Sequence, residues 1–473
     1  MLALADIIEA LRGMRPEGAK QAITEAVVDS RQAIPGCLFI ALPGQQVDGH
    51  DFVGQAFENG AHIALVQRDL SDSFTTLDLR QGRDLQGPLD HNPPFCLWVE
   101  DSLSALQQIA RFWRRKHDVK VIGVTGSVGK STTKELVAEV LNQRYRTLKN
   151  PGNLNNEIGL PLTLLSLGAG HKRAVLEMGF YVPGEISFLC DLALPQIGVV
   201  TNIGTVHASR AGSQSEIVRG KAELVKSLPP APEGVAILNY DDLKVREMAD
   251  LTSARVFFYG LDPRADLWAD KVEGLGLEGI RFQLHYRNEV LHLRVPLIGR
   301  HSVHTALRAA AVGLVDGFTW QEIITGLRSE RAQLRLMAVH TKSGALILDD
   351  TYNATPESTL AALNLLDELE GRKVAVLGDM LELGQYEVHG HEMVGVRAAE
   401  VVDELVVVGE LGKIIAAAAR RAGLSEQMIT ELDDSHQAIA FLKGRLASKD
   451  VVLVKGSRGM QMDRIVTALE KNE

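Results

Sequence analysis

Val121-Ile122-Gly123-Val124-Thr125-Gly126-Ser127-Val128-Gly129-Lys130-Ser131-Thr132-Thr133-Lys134-Glu135-Leu136 reads as a strand, a tight loop and the start of a helix. The β-branched apolar run ends at Thr125, Gly126 and Gly129 bracket the loop, and Lys-Ser-Thr opens a helical pattern. Backbone N–H groups in such a loop converge on a phosphate, and the helix start adds the positive end of its dipole. Lys130 can reach terminal phosphates as a point charge, and the Ser131 hydroxyl can ligate magnesium. Thr125, Gly126, Ser127, Gly129, Lys130 and Ser131 therefore form an expected nucleotide triphosphate site. The common phosphate loop carries one more Gly, at the position of Val124, so Thr-Gly-x-x-Gly-Lys-Ser is a more tightly spaced variant.

Around this loop, the pattern is that of an α/β protein. From residue 119 to about 325, apolar strands alternate with helices: 173–178, 197–202 and 234–239 are near-continuous apolar runs, as a parallel sheet covered on both faces requires. Alternation over 255–296 suggests an antiparallel appendage, and a helix is expected at 303–315. Upstream, 37–42 and 62–66 read as buried strands, 52–60 as a helix stopped by Gly60, 69–95 as a surface excursion and 102–116 as a helix. A third alternating region begins near 333, with strands at 345–349, 373–378, 404–409 and 450–455. Its spacing resembles a dinucleotide-binding type of open sheet, but no Gly-x-Gly-x-x-Gly loop opens it, so no dinucleotide is expected there.

A chain of 473 residues is too long for one core. Its formal net charge of -10 disfavours a general polyanion partner such as nucleic acid. Cys37, Cys96 and Cys190 lie far apart, with neither metal-ligand nor disulfide spacing, which suits a reducing cytoplasm. The N-terminus lacks a basic start and a long apolar run, so it does not read as a signal peptide, and no segment is apolar enough to span a bilayer.

Glu177 ends the 173–178 strand at the edge where open α/β sheets bind ligands, and beside a phosphate loop it is placed to hold magnesium directly or through water. His207 follows the next strand end and could ligate the same metal as a neutral imidazole. Lys221 lies in a helical stretch, where spacing alone makes it an ordinary surface lysine. Asn150-Pro151-Gly152-Asn153-Leu154-Asn155-Asn156-Glu157 concentrates amides that suit a peptide or sugar ligand, or equally a loop bonded to itself. Asp349-Asp350-Thr351-Tyr352-Asn353-Ala354-Thr355-Pro356 follows a strand end and leads into a proline-initiated helix.

Together these residues resemble the muropeptide (Mur) ligases, ATP-dependent enzymes of bacterial cell-wall synthesis, over nearly the full length and in the family's motif order. The resemblance implies three domains: a mixed α/β UDP-substrate domain (1–100), a central ATP-binding parallel sheet (101–328) and a C-terminal Rossmann-like open sheet that receives the incoming amine (329–473). The runs Asn155 to Pro161, Asp349 to Pro356 and Gly378 to Gly384 resemble the family member that joins D-alanyl-D-alanine to a UDP-N-acetylmuramoyl-tripeptide. By that resemblance, Ser30, Arg31, Asp48, Gly49 and His50 would hold the UDP substrate, with Asn155, Asn156, Tyr352 and Asn353 serving the substrates further on. Lys130, Ser131, Thr132, Arg335 and Asp350 would meet ATP. Ser131, Glu177, His207 and Lys221 would hold magnesium, Lys221 as the lysine the family carbamylates; Lys130, His207 and Lys221 would be catalytic. Partners would be small molecules, without nucleic acid or membrane, and the protein a cytoplasmic monomer. Gly299-Arg300-His301-Ser302-Val303-His304-Thr305 departs from the family's Gly-x-His-Asn-x-x-Asn, with Ser302 and Thr305 in place of both Asn residues.

Overall fold

The computed structural model describes residues 1–44, 47–82, 92–204, 212–329 and 337–471. They divide into two compact units. One comprises Met1–Gly123, Tyr145–Gly179 and Glu185–Gln196; the other comprises Val124–Arg144, Phe180–Gly184 and Ile197–Glu473.

The first sheet contains β1 (Ala26–Val27), β2 (Leu38–Ile40), β3 (Ile63–Val66), β4 (Thr76–Asp78) and β5 (Phe95–Trp98), in the order β1-β2-β3-β5-β4. Every pairing is parallel. β2 and β3 are buried at every position, as parallel strands covered on both faces must be. Cys37 and Cys96 are small apolar members of this core, and burial raises both thiol pKa values, Cys96 to about 12. β4 lies inside the span expected to be a surface excursion. Its Leu77 is buried, so one apolar residue among polar neighbours suffices for an edge strand. Helix Ser102–Arg115 is capped by Asp101, whose carboxylate accepts from Ser104 N.

The second sheet has nine strands: β6 (Lys120–Thr125), β7 (Thr147–Lys149), β8 (Arg173–Glu177), β9 (Ile197–Val200), β10 (Val235–Asn239), β11 (Arg255–Gly260), β12 (Leu267–Gly274), β13 (Ile280–Tyr286) and β14 (Glu289–Val295). Their order is β14-β13-β12-β11-β10-β9-β6-β8-β7. The expected antiparallel appendage over 255–296 needs correction. β11 pairs parallel with β10, β12 starts parallel to β11, and only β12-β13-β14 run antiparallel, as a continuation of the same sheet. Alternation reports which face of a strand is wet, not the direction of its neighbour.

The third sheet joins β15 (Met337–His340), β16 (Leu346–Asp350), β17 (Arg372–Gly378), β18 (Glu404–Val408), β19 (Ile429–Leu432) and β20 (Asp450–Lys455) in the order β15-β16-β20-β17-β18-β19. β15 is antiparallel to β16; the other pairings are parallel. Alternate residues of each strand supply opposite faces. Ala375 and Leu377 pack with Leu363, Leu366 and Val394 on one side, while Val374 and Val376 pack with Ala438, Leu442 and Ile465 on the other. This is an open sheet covered by helices on both faces, the arrangement that leaves the carboxyl ends of the parallel strands to bind ligands.

Candidate active site

β6 delivers Thr125, fully buried, to the loop, and helix Lys130–Leu141 begins immediately after Gly129. Gly126 has φ +139° and Gly129 φ +81°, conformations that side chains resist. A Cβ on Gly126 would lie 1.9 Å from Thr201 Oγ1, so this glycine is required for space as well as for φ.

The end of β9 fastens the loop from behind. Thr201 Oγ1 donates to Val128 O at 2.7 Å. Asn202 accepts from Ser127 N through its carbonyl and from Val128 N through Oδ1, each at 2.9 Å, and Gly204 N donates to Ser127 Oγ at 2.8 Å. These bonds fix the first half of the loop. The first turn of the following helix has no intrahelical acceptors for its N–H groups, so it is the part built to receive an anion.

Two lysines converge here. Lys130 Nζ donates to Gly126 O at 2.9 Å and to Ser127 O at 3.3 Å. Lys221, the last residue of helix Gln214–Lys221, is 1% exposed and donates to the same Gly126 oxygen at 3.0 Å. Its Nζ also lies 4.9 Å from the Phe180 ring centroid. Burial, and then the charge of Lys130, hold its pKa well below the usual lysine value. The helix passes so close to Phe180 that a Cβ on Gly220 would lie 1.9 Å from the ring. Lys221 is thus no surface lysine making ordinary helix pairs. Helical spacing could not show that Phe180 and the phosphate loop would enclose it.

Glu177, at the end of β8, is 2% exposed, and its carboxylate accepts from Asn155 Nδ2 at 2.9 Å. The asparagine loop bonds heavily to itself and to β8. Asn150 donates to Leu154 O and Glu177 O and accepts from Glu177 N, while Asn156 Oδ1 accepts from Ile158 N and Gly159 N. Asn155 is the amide that couples this loop to a predicted metal ligand.

In the N-terminal domain, Ser30 Oγ donates to Gln55 Oε1 at 2.7 Å. Arg31, with its side chain 81% exposed, makes a local fork with Asp29. His50 is buried, and its Nε2 accepts from Gln67 N, so Nδ1 carries the proton and donates to Asp48. Asp48 also caps the short helix Gly49–Phe52 by accepting from His50 N.

Beyond β16, Asp350 accepts from Lys455 Nζ at 2.6 Å, and Lys455 also donates to Asn353 O at 2.9 Å. Lys455 is 2% exposed and ends β20, directly opposite Asp350 in register. It fixes the Asp350–Asn353 turn, whereas Tyr352 is exposed. Sequence reading assigned Lys455, Thr201 and Asn202 no role, although each sits at a strand's carboxyl end, the same signal that marked Glu177. His207 and Arg335 lie outside the described residues. Among the described residues, no three His, Cys, Asp or Glu side chains cluster to hold a metal. The donors near the loop are instead the Ser131 hydroxyl and backbone groups, which suit magnesium bound largely through phosphate oxygens.

Three family models match the chain: the Mur ligase family catalytic domain over 22–114, the Mur ligase middle domain over 124–313, and the Mur ligase glutamate ligase domain over 334–458. The UDP-N-acetylmuramoyl-tripeptide--D-alanyl-D-alanine ligase of Bacillus subtilis is 35% identical, covering 98% of this chain and 97% of that protein. The chain belongs to the Mur ligase family. The Escherichia coli ligase of the same name is 34% identical, covering 100% of this chain and 99% of its own. Among solved structures, a MurF from Acinetobacter baumannii superposes with a TM-score of 0.83 at 30% identity, covering 99% of this chain and 98% of its own. MurF ligase from Thermotoga maritima in complex with ADP gives 0.76 at 28% identity, covering 94% of this chain and 97% of its own. The three-domain α/β architecture and the ligase class expected from the sequence agree with these Mur ligase relatives.

Proposed function

We propose that this Mur ligase joins D-alanyl-D-alanine to UDP-N-acetylmuramoyl-tripeptide at the expense of ATP, giving UDP-N-acetylmuramoyl-pentapeptide for peptidoglycan synthesis. Full-length similarity to relatives carrying that activity in their names is the observation that carries the reading. The phosphate loop with two converging lysines supports it chemically. The domains divide the work: 1–100 holds the UDP group, 101–328 holds ATP, and 329–473 presents the incoming dipeptide.

The tripeptide's terminal carboxylate oxygen attacks the γ-phosphorus of ATP, the bond to the bridging oxygen breaks, and ADP leaves. The amine of D-alanyl-D-alanine then attacks the acyl carbon. Phosphate departs with the former carboxylate oxygen, and the amine sheds a proton. Both steps depend on positioning and on electrostatics.

Lys130 stabilises the charge on the transferring phosphoryl group, while Thr125, Gly126, Ser127, Gly129, Ser131 and Thr132 shape its cradle. Arg335 and Asp350 complete the nucleotide contacts. Magnesium would neutralise phosphate charge, held by Ser131, Glu177, His207 and carbamylated Lys221. Lys221 suits that modification. A buried amine beside another cation is favoured in its neutral form, and the neutral amine is the form that adds to carbon dioxide. The resulting carbamate reverses the sign of the charge facing Lys130. Asn155 orients Glu177, and Asn156 shapes the loop beneath it. Ser30, Arg31, Asp48, Gly49 and His50 serve the UDP group, and Tyr352 and Asn353 the incoming dipeptide. The proposed setting is a monomer in the cytoplasm; among the described residues, no helix is long and apolar enough to cross a membrane.

A phosphate-release assay with substrates omitted one at a time tests the assignment. Sustained release is expected only when ATP, the UDP-tripeptide and D-alanyl-D-alanine are all present. Equal release with L-glutamate in place of the dipeptide would point to another amide ligase.

A further inference from the structure

Arg308 lies on helix Val303–Val315 and is 4% exposed. Its Nη2 donates to Thr305 Oγ1 at 2.7 Å, its Nη1 donates to the Tyr259 hydroxyl at 3.4 Å, and its guanidinium carbon is 5.8 Å from the Tyr259 ring centroid. Its Nε is a buried donor with no acceptor among the described residues. Both hydrogen-bonding partners are neutral hydroxyls. Buried cations ordinarily pair with a carboxylate or another anion, because a desolvated, unbalanced charge is costly.

The neighbouring carboxylates are engaged elsewhere. Asp241 pairs with His304 and accepts from Leu261 N and Asp262 N; Asp242 accepts from Ile203 N, Lys244 N and Val245 N.

The guanidinium faces the phosphate loop. A Cβ built on Gly129 would stand 3.1 Å from Arg308 Nη2, so Arg308 lies against the residue that opens helix Lys130–Leu141. Tyr259 ties the same group to the loop's other side: its hydroxyl donates to Val200 O and Thr201 O, and Thr201 donates to Val128 O. Thr305, which replaces an Asn of the family pattern, serves as the Arg308 acceptor. Ser302, the other replacement, donates to Ile298 O at 2.7 Å.

We propose that Arg308 is a further positioning residue of the nucleotide site, a buried cation held by Thr305 and Tyr259 against Gly129 so that its charge is balanced by bound nucleotide phosphates. This rests on reading the loop as the nucleotide site. The triphosphate supplies the anion that the described residues do not, and charge-assisted attraction of this kind is stronger away from water. Arg308 acts on nucleotide affinity and loop placement, with no part in bond making.

The test uses the full-length protein with Arg308→Gln, which removes the charge and leaves a shorter side chain with one amide donor group, and Arg308→Lys, which keeps charge. Affinities for ADP and for a non-hydrolysable ATP analogue, both with magnesium, are measured by calorimetry beside affinity for the UDP-tripeptide. Arg308→Gln is expected to weaken both nucleotides by about tenfold or more and to raise KM for ATP far more than it lowers kcat, with UDP-tripeptide affinity unchanged. Arg308→Lys is expected to recover much of that loss. Should Arg308→Gln not fold, Thr305→Val, which removes the Nη2 acceptor, is expected to weaken nucleotide binding by a smaller factor.

Nucleotide affinity within about twofold of the parent in the folded variants overturns the proposal, as does equal loss for nucleotide and UDP-tripeptide. Lys130→Ala, run in parallel, separates the two layers. If it loses nucleotide binding while Arg308→Gln does not, only the role of Arg308 falls; if it binds nucleotide normally, the loop reading falls as well.

Discussion

Lys221 Nζ donates to the Gly126 carbonyl oxygen at 3.0 Å from a position closed to solvent. Lys130 donates to the same oxygen at 2.9 Å, so one carbonyl receives two amines. The proposed carbamate on Lys221 would place a negative charge beside Lys130 and would add an oxygen ligand near the loop. Lys221→Met should therefore lower kcat by about a hundredfold or more, the scale of losing one preorganised electrostatic group. Acetate, as a detached carboxylate, should restore part of the activity, and labelled bicarbonate should give a carbamate signal in the parent protein alone. Parent-level turnover in Lys221→Met would remove this residue from the mechanism.

The same lysine sets a pH dependence of stability. Its folded pKa lies well below the usual 10.5, chiefly through burial. Between the folded and unfolded values, the unfolded chain holds one proton more than the native one, so stability rises with pH through that window. In carbon dioxide-free buffer, the unfolding free energy of the parent, measured in urea, should increase relative to Lys221→Met as the pH rises toward the usual lysine value, by up to about 1.4 kcal/mol per pH unit. Parallel curves for the two proteins would mean that Lys221 stays charged when folded.

Gly126→Ala should both destabilise and inactivate. The new methyl would stand 1.9 Å from Thr201 Oγ1, at a φ of +139°. Thr201 cannot retreat without releasing Val128 O. We expect a loss of about 2–4 kcal/mol in denaturant unfolding, together with loss of ADP binding. An unchanged melting temperature would contradict the packing described.

Lys455→Met should remove the buried cation that faces the Asp350 carboxylate and loosen the Asp350–Asn353 turn. Breaking one side of a buried pair costs about 3–5 kcal/mol, and removing both charges costs less. Lys455→Met combined with Asp350→Asn should accordingly unfold at a higher urea concentration than Lys455→Met alone, while ligase activity stays low in both. Additive losses would show that the ion pair does not couple the two residues.

The loop was legible in the sequence because it is local: strand, two glycines, lysine and helix start are contiguous, and their φ angles follow from residue type. The place of Glu177 at a strand end was legible, but its burial and its bond to Asn155 were not. Lys221 entered only through the family resemblance, since its burial depends on Phe180, far away in sequence. Arg308 has no reading of its own within the helix expected at 303–315, for the same reason. Both side chains become informative only when packing shows no carboxylate partner for them among the described residues. Strand direction in 255–296 was misread because alternation carries no directional information. The asparagine loop left two readings open, and hydrogen bonding shows that Asn150 and Asn156 hold the loop itself while Asn155 reaches Glu177.

In the proposed reaction, the tripeptide carboxylate is activated as an acyl phosphate. The most direct test of that step starts from UDP-N-acetylmuramoyl-tripeptide with heavy oxygen in the terminal carboxylate, incubated with ATP, magnesium and D-alanyl-D-alanine. One heavy oxygen is expected in each inorganic phosphate released, with the other retained in the new amide carbonyl. Phosphate whose one newly acquired oxygen comes from solvent, or label appearing in AMP, would contradict it.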